Sequence, residues 1–398
     1  MRLLLVADTF PPATISGALQ MRDLAAALVQ AGHRPLVLVP DTDLRQPCVL
    51  EELEGIQVCR VMAPRTKDVR YFRRVAAEFA LPWILRRGFC STALANESWD
   101  GIVWYSPTIF LGPLVAWFRR RYRCRSYLIL RDLFPDWAAD AGVLRRGGLV
   151  YRLLKAVERF QYRQADVIGV QTPANIPIVA ADAPAGAELE VLHNWLDASP
   201  VGTATGGHRL LDGFGDRKVF VYAGNMGVAQ DVDAFVDLAS RLRSRLDLAF
   251  LLIGRGSERA RLRKQAAALG LENLRIEDQV SQAELSLLLA HCYAGIIALH
   301  PAHGTHNIPG KLLTYLQAGL PVLARVNPGN DLHPLVLGEG IGASVVGGSP
   351  DGLVEAALYL ADNPEACADM GVRGKVLAAR LFSPAAAAEQ VVKGLLPR

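Results

Sequence analysis

Apolar residues in this chain follow two patterns: short continuous runs, and longer stretches where they recur at helical spacing. Residues 2–7, RLLLVA, form a continuous run closed by Asp8 and a Pro-rich loop. The next segment, GALQMRDLAAALVQAGH, carries Leu19, Leu24 and Leu28 at helical spacing and stops at Gly32, which predicts a helix. PLVLVP follows as a second strand. Strand, loop, helix and strand make a βαβ unit, and such units build parallel sheets. Four more runs in the first half read as strands, at 101–106, 126–131, 166–171 and 189–194, with helical stretches such as GLVYRLLKAVERFQYRQA between them.

The pattern breaks at ASPVGTATGGHRLLDGFGDR, which is rich in Gly, Ser, Thr and Pro and reads as a linker. It then restarts. KVFVYAG, LAFLLIGRG, LRIEDQV, AGIIALH and PVLA are strand candidates, alternating with helix candidates that include DVDAFVDLASRLRSR, SERARLRKQAAALG, SQAELSLLLAHC and GKLLTYLQAG. The expected architecture is α/β, two Rossmann-like doubly wound domains facing across a cleft, with ligands at the carboxyl ends of the strands. The expected boundaries are 1–198 for the N-terminal domain, 199–217 for the linker and 218–380 for the C-terminal domain. Residues 381–398 read as a final helix packing back toward the N-terminal domain.

Length and composition fit this outline. A chain of 398 residues is too long for one ordinary core. Its 51% hydrophobic and 21% charged residues describe a packed globular protein. No apolar run reaches the roughly 18 residues of a membrane-spanning helix. The opening MRLLLVADTFPP lacks the small-residue cleavage site of a secretion leader and reads as a strand. Six scattered cysteines without a C-x-x-C pair argue against a zinc site or a disulfide framework, and fit a reducing cytoplasm.

Charge adds a partner class. The net +4 arises wholly within residues 1–200, which hold 24 basic and 20 acidic groups against 19 of each in the remainder. Residues 60–125 alone hold 13 basic and 4 acidic groups, and KDVRYFRRVAAEFALPWILRRGF and WFRRRYRCR interleave arginines with aromatic and aliphatic residues. This pattern suits an anionic membrane surface, which would place the protein peripherally on the inner face of the cytoplasmic membrane. A solvated basic helix face fits the same residues. Nucleic-acid binding is not expected, because no recognition motif accompanies the charge.

Candidate chemistry sits at the strand ends. AGNMG (223–227) and IGRGSER (253–259) each follow a strand of the second half. Glycines there let the backbone approach a phosphate, and a following helix N-terminus points N–H groups at it. Arg255 and Lys311 are nearby cations able to neutralise a diphosphate. His300, His303 and His306 recur every three residues, but Pro301, Gly304 and Pro309 make that stretch a loop with no fixed face. With no convergent carboxylate or Cys and no D-x-D pair, neither a metal nor another cofactor is expected.

Several stretches resemble family 4 glycosyltransferases, which have the GT-B fold and retain anomeric configuration. VFVYAGNMGVAQDVDAF, FLLIGRGSERARL and IPGKLLTYLQAGLPVLA are similar to the family's nucleotide-sugar domain. TFPPATISGALQMRDLAAALVQAGH, YSPTIFLGPLVAWF and LHNWLD resemble its N-terminal half, and LRDLFPDWAADAGVL resembles the bacterial branch that makes surface polysaccharides and lipopolysaccharide, including amino-sugar and fucosyl transferases. The resemblance implies roles position by position. Gly17 matches a glycine near the donor phosphates. Gly224, Asn225, Met226 and Gly227 match the loop beneath the diphosphate, and Gln279 and Val280 the segment framing the nucleobase. Lys311 matches the cationic helix-start residue, with Ile308, Pro309, Gly310 and Leu312 around it. Asp132 matches a polar residue close to the acceptor, with Arg131 and Ser106 on the same side.

The chain also departs from that family. Two glutamates eight positions apart are usual, and here those positions hold His306 and Thr314. A threonine hydroxyl offers the ribose one neutral partner where a carboxylate offers charged ones. Val228 stands where a basic residue often follows the glycine turn, and Arg131 where many relatives have His. The implied reaction is transfer of a sugar from a nucleoside-diphosphate sugar, UDP above others, to a lipid-linked or lipopolysaccharide acceptor with retention. Lys311, Arg255 and Asp132 are the expected catalytic groups, and the leaving phosphate itself helps deprotonate the acceptor. A sugar-nucleotide epimerase and a non-catalytic sugar-nucleotide binder are the alternatives.

Overall fold

Strands buried on both faces call for near-continuous apolar runs, and most strands of this chain supply them. The computed structural model describes residues 1–13, 15–66, 71–140, 142–197, 207–227, 230–300 and 308–397. They divide into two compact units, Met1–Trp195 joined by the segment from Pro384 onward, and Leu196–Ser383.

The first unit contains β1 (Arg2–Val6), α1 (Ser16–Gln30), β2 (Arg34–Asp41), β3 (Cys48–Leu53), β4 (Ile56–Met62), α2 (Tyr71–Cys90), β5 (Gly101–Ser106) and α3 (Gly112–Tyr122). It continues with β6 (Arg125–Leu130), α4 (Asp136–Asp140), α5 (Leu149–Tyr162), β7 (Val167–Val170), α6 (Asn175–Ala180) and β8 (Glu188–Val191). Its sheet has the order β3-β4-β2-β1-β5-β6-β7-β8, parallel except where β3 pairs antiparallel with β4. Alternate residues serve opposite faces. Leu4, Val6, Leu36, Ile102 and Leu128 pack beneath α2 and α3, while Leu3, Leu5, Val37, Val103 and Ile129 pack beneath α1 and the final helix. Each fully buried aliphatic side chain is worth roughly 1.5–3 kcal/mol, so both faces contribute to one stable sheet.

The second unit contains β9 (Lys218–Ala223), α7 (Asp233–Arg241), β10 (Leu248–Ile253), α8 (Arg259–Ala268), β11 (Leu274–Glu277), α9 (Gln282–Leu289) and β12 (Ala294–Ala298). There follow α10 (Lys311–Ala318), β13 (Val322–Val326), α11 (Leu332–Gly338), β14 (Gly342–Val346), α12 (Pro350–Asp362) and α13 (Pro364–Leu381). This sheet is parallel throughout, in the order β11-β10-β9-β12-β13-β14. α14 (Pro384–Leu395) belongs to the first unit, where Ala387, Ala388, Val391 and Leu395 are buried.

The expected linker needs correction. Leu210 and Phe214 are buried in the second unit's core, and the Arg275 guanidinium lies over the Phe214 ring while donating to the Leu210 and Asp212 carbonyls at 2.9 and 2.7 Å. Residues 207–217 are therefore a packed lead-in to β9, and 198–206 lie outside the described residues. The change of unit also comes earlier than position 198, since the Leu196 N–H already bonds to the Phe382 carbonyl.

Candidate functional site

In the second sheet the strand order reverses between β9 and β12, the place where doubly wound folds leave a crevice at the carboxyl edge. The loops after β9 and β10 meet there backbone to backbone. The Gly224 N–H donates to the Ile253 carbonyl at 2.9 Å, and the Met226 N–H to the Arg255 carbonyl at 2.6 Å. A Cβ on Gly254 would stand 1.7 Å from the Gly224 oxygen, and one on Gly256 2.3 Å from the Met226 oxygen. Both glycines also have positive φ, 155° and 143°, so no other residue fits. Gln230 closes the first loop by accepting from the Gly227 N–H at 3.2 Å and from Asn225 Nδ2 at 3.1 Å. Buried Arg325 on β13 ties its far end through an ion pair with Asp231.

Lys311 begins α10 beside this pair of loops. Its Nζ lies 3.7 Å from the centroid of the Tyr222 ring, and its Cε and Nζ are 3.4 Å from where a Cβ on Gly224 would stand. Burial lowers its pKa from the ordinary lysine value to about 7. Two tyrosines hold this wall in place. Tyr222 Oη donates to the Asn225 carbonyl at 2.5 Å, and Tyr315 Oη, one turn along α10 from Lys311, accepts from the Ala223 N–H at 2.9 Å. The result is a cation, a helix N-terminus and two glycine loops converging on one edge, which is chemistry suited to a diphosphate.

The first unit's strand ends form a second cluster. Arg131 is buried at the end of β6 and donates to the Leu192 and His193 carbonyls at 2.8 and 3.2 Å, with its guanidinium 5.1 Å from the Trp195 ring centre. Burial lowers its pKa to about 10. The Trp195 indole N–H donates to the Gln20 carbonyl at 2.8 Å, and Tyr105 Oη donates to Gln20 Oε1 at 3.1 Å. Gly17 lies against that tyrosine: a Cβ there would be 3.1 Å from Tyr105 Cε1. Asp132 stays open to solvent, yet desolvation around its carboxyl raises its pKa, Asp8 adds to the rise and Arg131 opposes it.

Several sequence-stretch assignments change against this geometry. The Met226 side chain is buried in the core and its backbone N–H and C=O are both taken, so it shapes the loop without reaching a ligand. Leu312 is likewise core, and Ile308 is buried beside it. Ser106 is buried and donates to the Thr108 carbonyl at 2.9 Å while accepting from Gln161, so it offers nothing to an acceptor. Arg131 is a strut for residues 192–195, not a contact group. Arg255 is exposed, and Arg259 is the arginine that reaches back to the Gly254 loop, pairing also with Asp278. Thr314 is half-buried on the same helical face as Lys311, and Gln279 is exposed past the end of β11 with Val280 packing on the core. His303 and His306 lie outside the described residues. Sequence reasoning missed Tyr222 and Tyr315, whose signal was a hydroxyl at a position of core periodicity.

Comparison with known proteins bears on both units. A family described as "Glycosyl transferases group 1" matches residues 217–363, and one described as "Glycosyl transferase 4-like domain" matches residues 17–195. The probable glycosyltransferase WbjE of Pseudomonas aeruginosa is 27% identical over 221 residues, 54% of this chain and 54% of that protein. The putative colanic acid biosynthesis glycosyl transferase WcaI of Escherichia coli (strain K12) is 24% identical over 235 residues, 57% of this chain and 58% of that one. The chain thus spans about half the length of the curated relatives it matches. Among solved structures, Anabaena Alr3699/HepE in complex with UDP superposes with a TM-score of 0.68 at 14% identity, covering 99% of both chains. WaaG, a glycosyltransferase involved in lipopolysaccharide biosynthesis, gives 0.62 at 15% identity over 98% of this chain and 99% of that one. These likenesses show the fold, which is GT-B. With a glycosyltransferase family matched on each unit, over residues 17–195 and 217–363, this protein belongs to glycosyltransferase family 4.

Proposed function

We propose that this protein moves a sugar from a nucleoside-diphosphate sugar, with UDP as the nucleotide, to a lipid-linked or lipopolysaccharide acceptor in bacterial surface polysaccharide assembly, with retention of configuration. The observation that carries the reading is the Lys311 ammonium set between the Tyr222 ring and Gly224 at the crossover of the second sheet. The diphosphate would lie along the Gly224–Gly227 and Gly254–Gly256 loops. As the sugar departs, charge grows on that diphosphate, and a cation preorganised there lowers the barrier. Removing such a donor group typically costs about 100- to 1000-fold in rate. Asp132 would bind an acceptor hydroxyl, and a phosphate oxygen of the leaving group would take its proton on the same face. The names of WcaI and WaaG support the polysaccharide context, and the UDP complex of HepE supports the nucleotide. The basic stretches of the first unit support contact with an anionic membrane. Among the described residues no helix is long and apolar enough to cross one.

The test is thermal melting with UDP, GDP and dTDP, followed by incubation with the matching sugar nucleotides and bacterial lipid extract. The expected result is a melting shift with UDP and appearance of glycosylated lipid. Epimerised sugar nucleotide, or binding without transfer to any extract, would overturn the proposal.

A further inference from the structure

The first unit carries a groove that neither the donor nor the acceptor reading uses. It is made up of two hollows that follow one another along α3 and α5, which lie side by side, with α2 walling the first of them. Gly112, at the start of α3, packs on Phe160 and Gln161, and Arg119, near the end of α3, pairs with Asp166 beyond α5 at 2.7 Å. At the Gly112 end the groove is an apolar hollow of about 240 Å³ lined by Phe79, Trp83, Phe110, Pro113, Val157 and Phe160. At the other end it is a cationic hollow of about 430 Å³ lined by Arg119, Arg120, Arg123, Arg125, Gln164 and Asp166.

Both ends are incomplete as they stand. Trp83 is 56% exposed, and on α5 Leu149 and Leu153 are 86% and 57% exposed, in one stripe with Ala156 and Phe160 at helical spacing. In the cationic hollow Arg119 is paired with Asp166 and Arg125 with Glu188 at 3.0 Å. Among the described residues Arg120 and Arg123 have no carboxylate partner, and the buried Nε of Arg125 has no hydrogen-bond partner. From Pro113 to Arg120 the helix rises roughly 10 Å, the reach of one lipid from its phosphate into its chains. Arg125 opens β6 and Asp166 directly precedes β7, so the cationic end lies at the amino ends of the strands, away from Tyr105 and Asp132.

We propose that this groove takes an anionic phospholipid of the bilayer, with the phosphate in the arginine end and an acyl chain in the apolar end. The proposal rests on the membrane-facing reading of the first unit and says where the lipid sits. Guanidinium groups bind a phosphodiester with paired hydrogen bonds, and a tryptophan at the rim suits the headgroup boundary.

Co-sedimentation tests it, with vesicles of phosphatidylcholine alone and of phosphatidylcholine with phosphatidylglycerol in equal parts. The variants are Trp83→Ser and the double change Arg120→Glu with Arg123→Glu, all at exposed positions. Wild type should partition onto the mixed vesicles about tenfold better than onto the neutral ones, and each variant should lose most of that gain. Millimolar glycerol phosphate should leave the binding intact, and UDP should still raise the melting temperature of every variant. Mixed-vesicle binding untouched by either variant would overturn the groove while leaving a membrane-facing unit in place. No preference for anionic vesicles would remove both. Displacement by glycerol phosphate would make the arginine end a site for free phosphate. Self-association lost in Trp83→Ser, with vesicle binding unchanged, would make the apolar end an interface between copies.

Discussion

The ammonium of Lys311 is held where its charge is least favourable without a ligand. An unfolded lysine keeps its proton to about pH 10.4, whereas burial brings Lys311 to about 7. The native state therefore binds fewer protons between those values, and its stability rises with pH across that window. Lys311→Met should raise the melting temperature at pH 6 to 7, with the gain fading toward pH 10, as differential scanning calorimetry across pH would show. A bound diphosphate restores the charge, so donor binding at pH 8.5 should take up a proton that binding at pH 6 does not. Calorimetric titration in buffers of different ionisation heat measures that uptake. Lys311 was legible in the sequence as a cation opening a helix after a Pro-Gly loop. Its depressed pKa was not, because that depends on Tyr222 and Gly224 arriving from another strand. Arg131 shows the opposite failure. Its place beside Asp132 suggested acceptor contact, but at a buried strand end its charge is spent on the carbonyls of 192 and 193. Arg131→Ala should cost about 2–4 kcal/mol in urea unfolding, since it leaves those acceptors unpaired.

At the scale of elements, the two glycine loops act as one. Gly224, Gly254 and Gly256 let the turns after β9 and β10 touch through their backbones. Gly254→Ala should force the loops apart and weaken UDP binding by about tenfold or more, while far-ultraviolet circular dichroism stays native. An unchanged affinity would mean the loops do not carry the phosphate. The glycines were readable in the sequence as turns, and only the β9–β10 pairing shows that they face each other. The β3–β4 hairpin was missed for a local reason. Its turn is Glu54-Gly55, both with positive φ, at 53° and 78°. That is the backbone of a two-residue hairpin turn, which sequence rules associate with Asn-Gly or Asp-Gly.

At the scale of the molecule, chain order and packing order differ. The first unit is completed by α14, whose Val391 and Leu395 are buried against residues of α1 and the sheet. Truncation after Ser383 should expose that face and lower the first unit's stability by several kcal/mol, at roughly 1.5–3 kcal/mol for each buried aliphatic residue lost. UDP binding by the second unit should survive it. In the proposed function, Lys311 and the paired glycine loops hold a nucleoside diphosphate. Calorimetric titration of UDP into wild type and Lys311→Met at pH 7 measures that grip. Wild type should bind UDP saturably and one to one, and the variant should lose at least about tenfold in affinity with no fall in melting temperature. Equal affinity in the two proteins would contradict it.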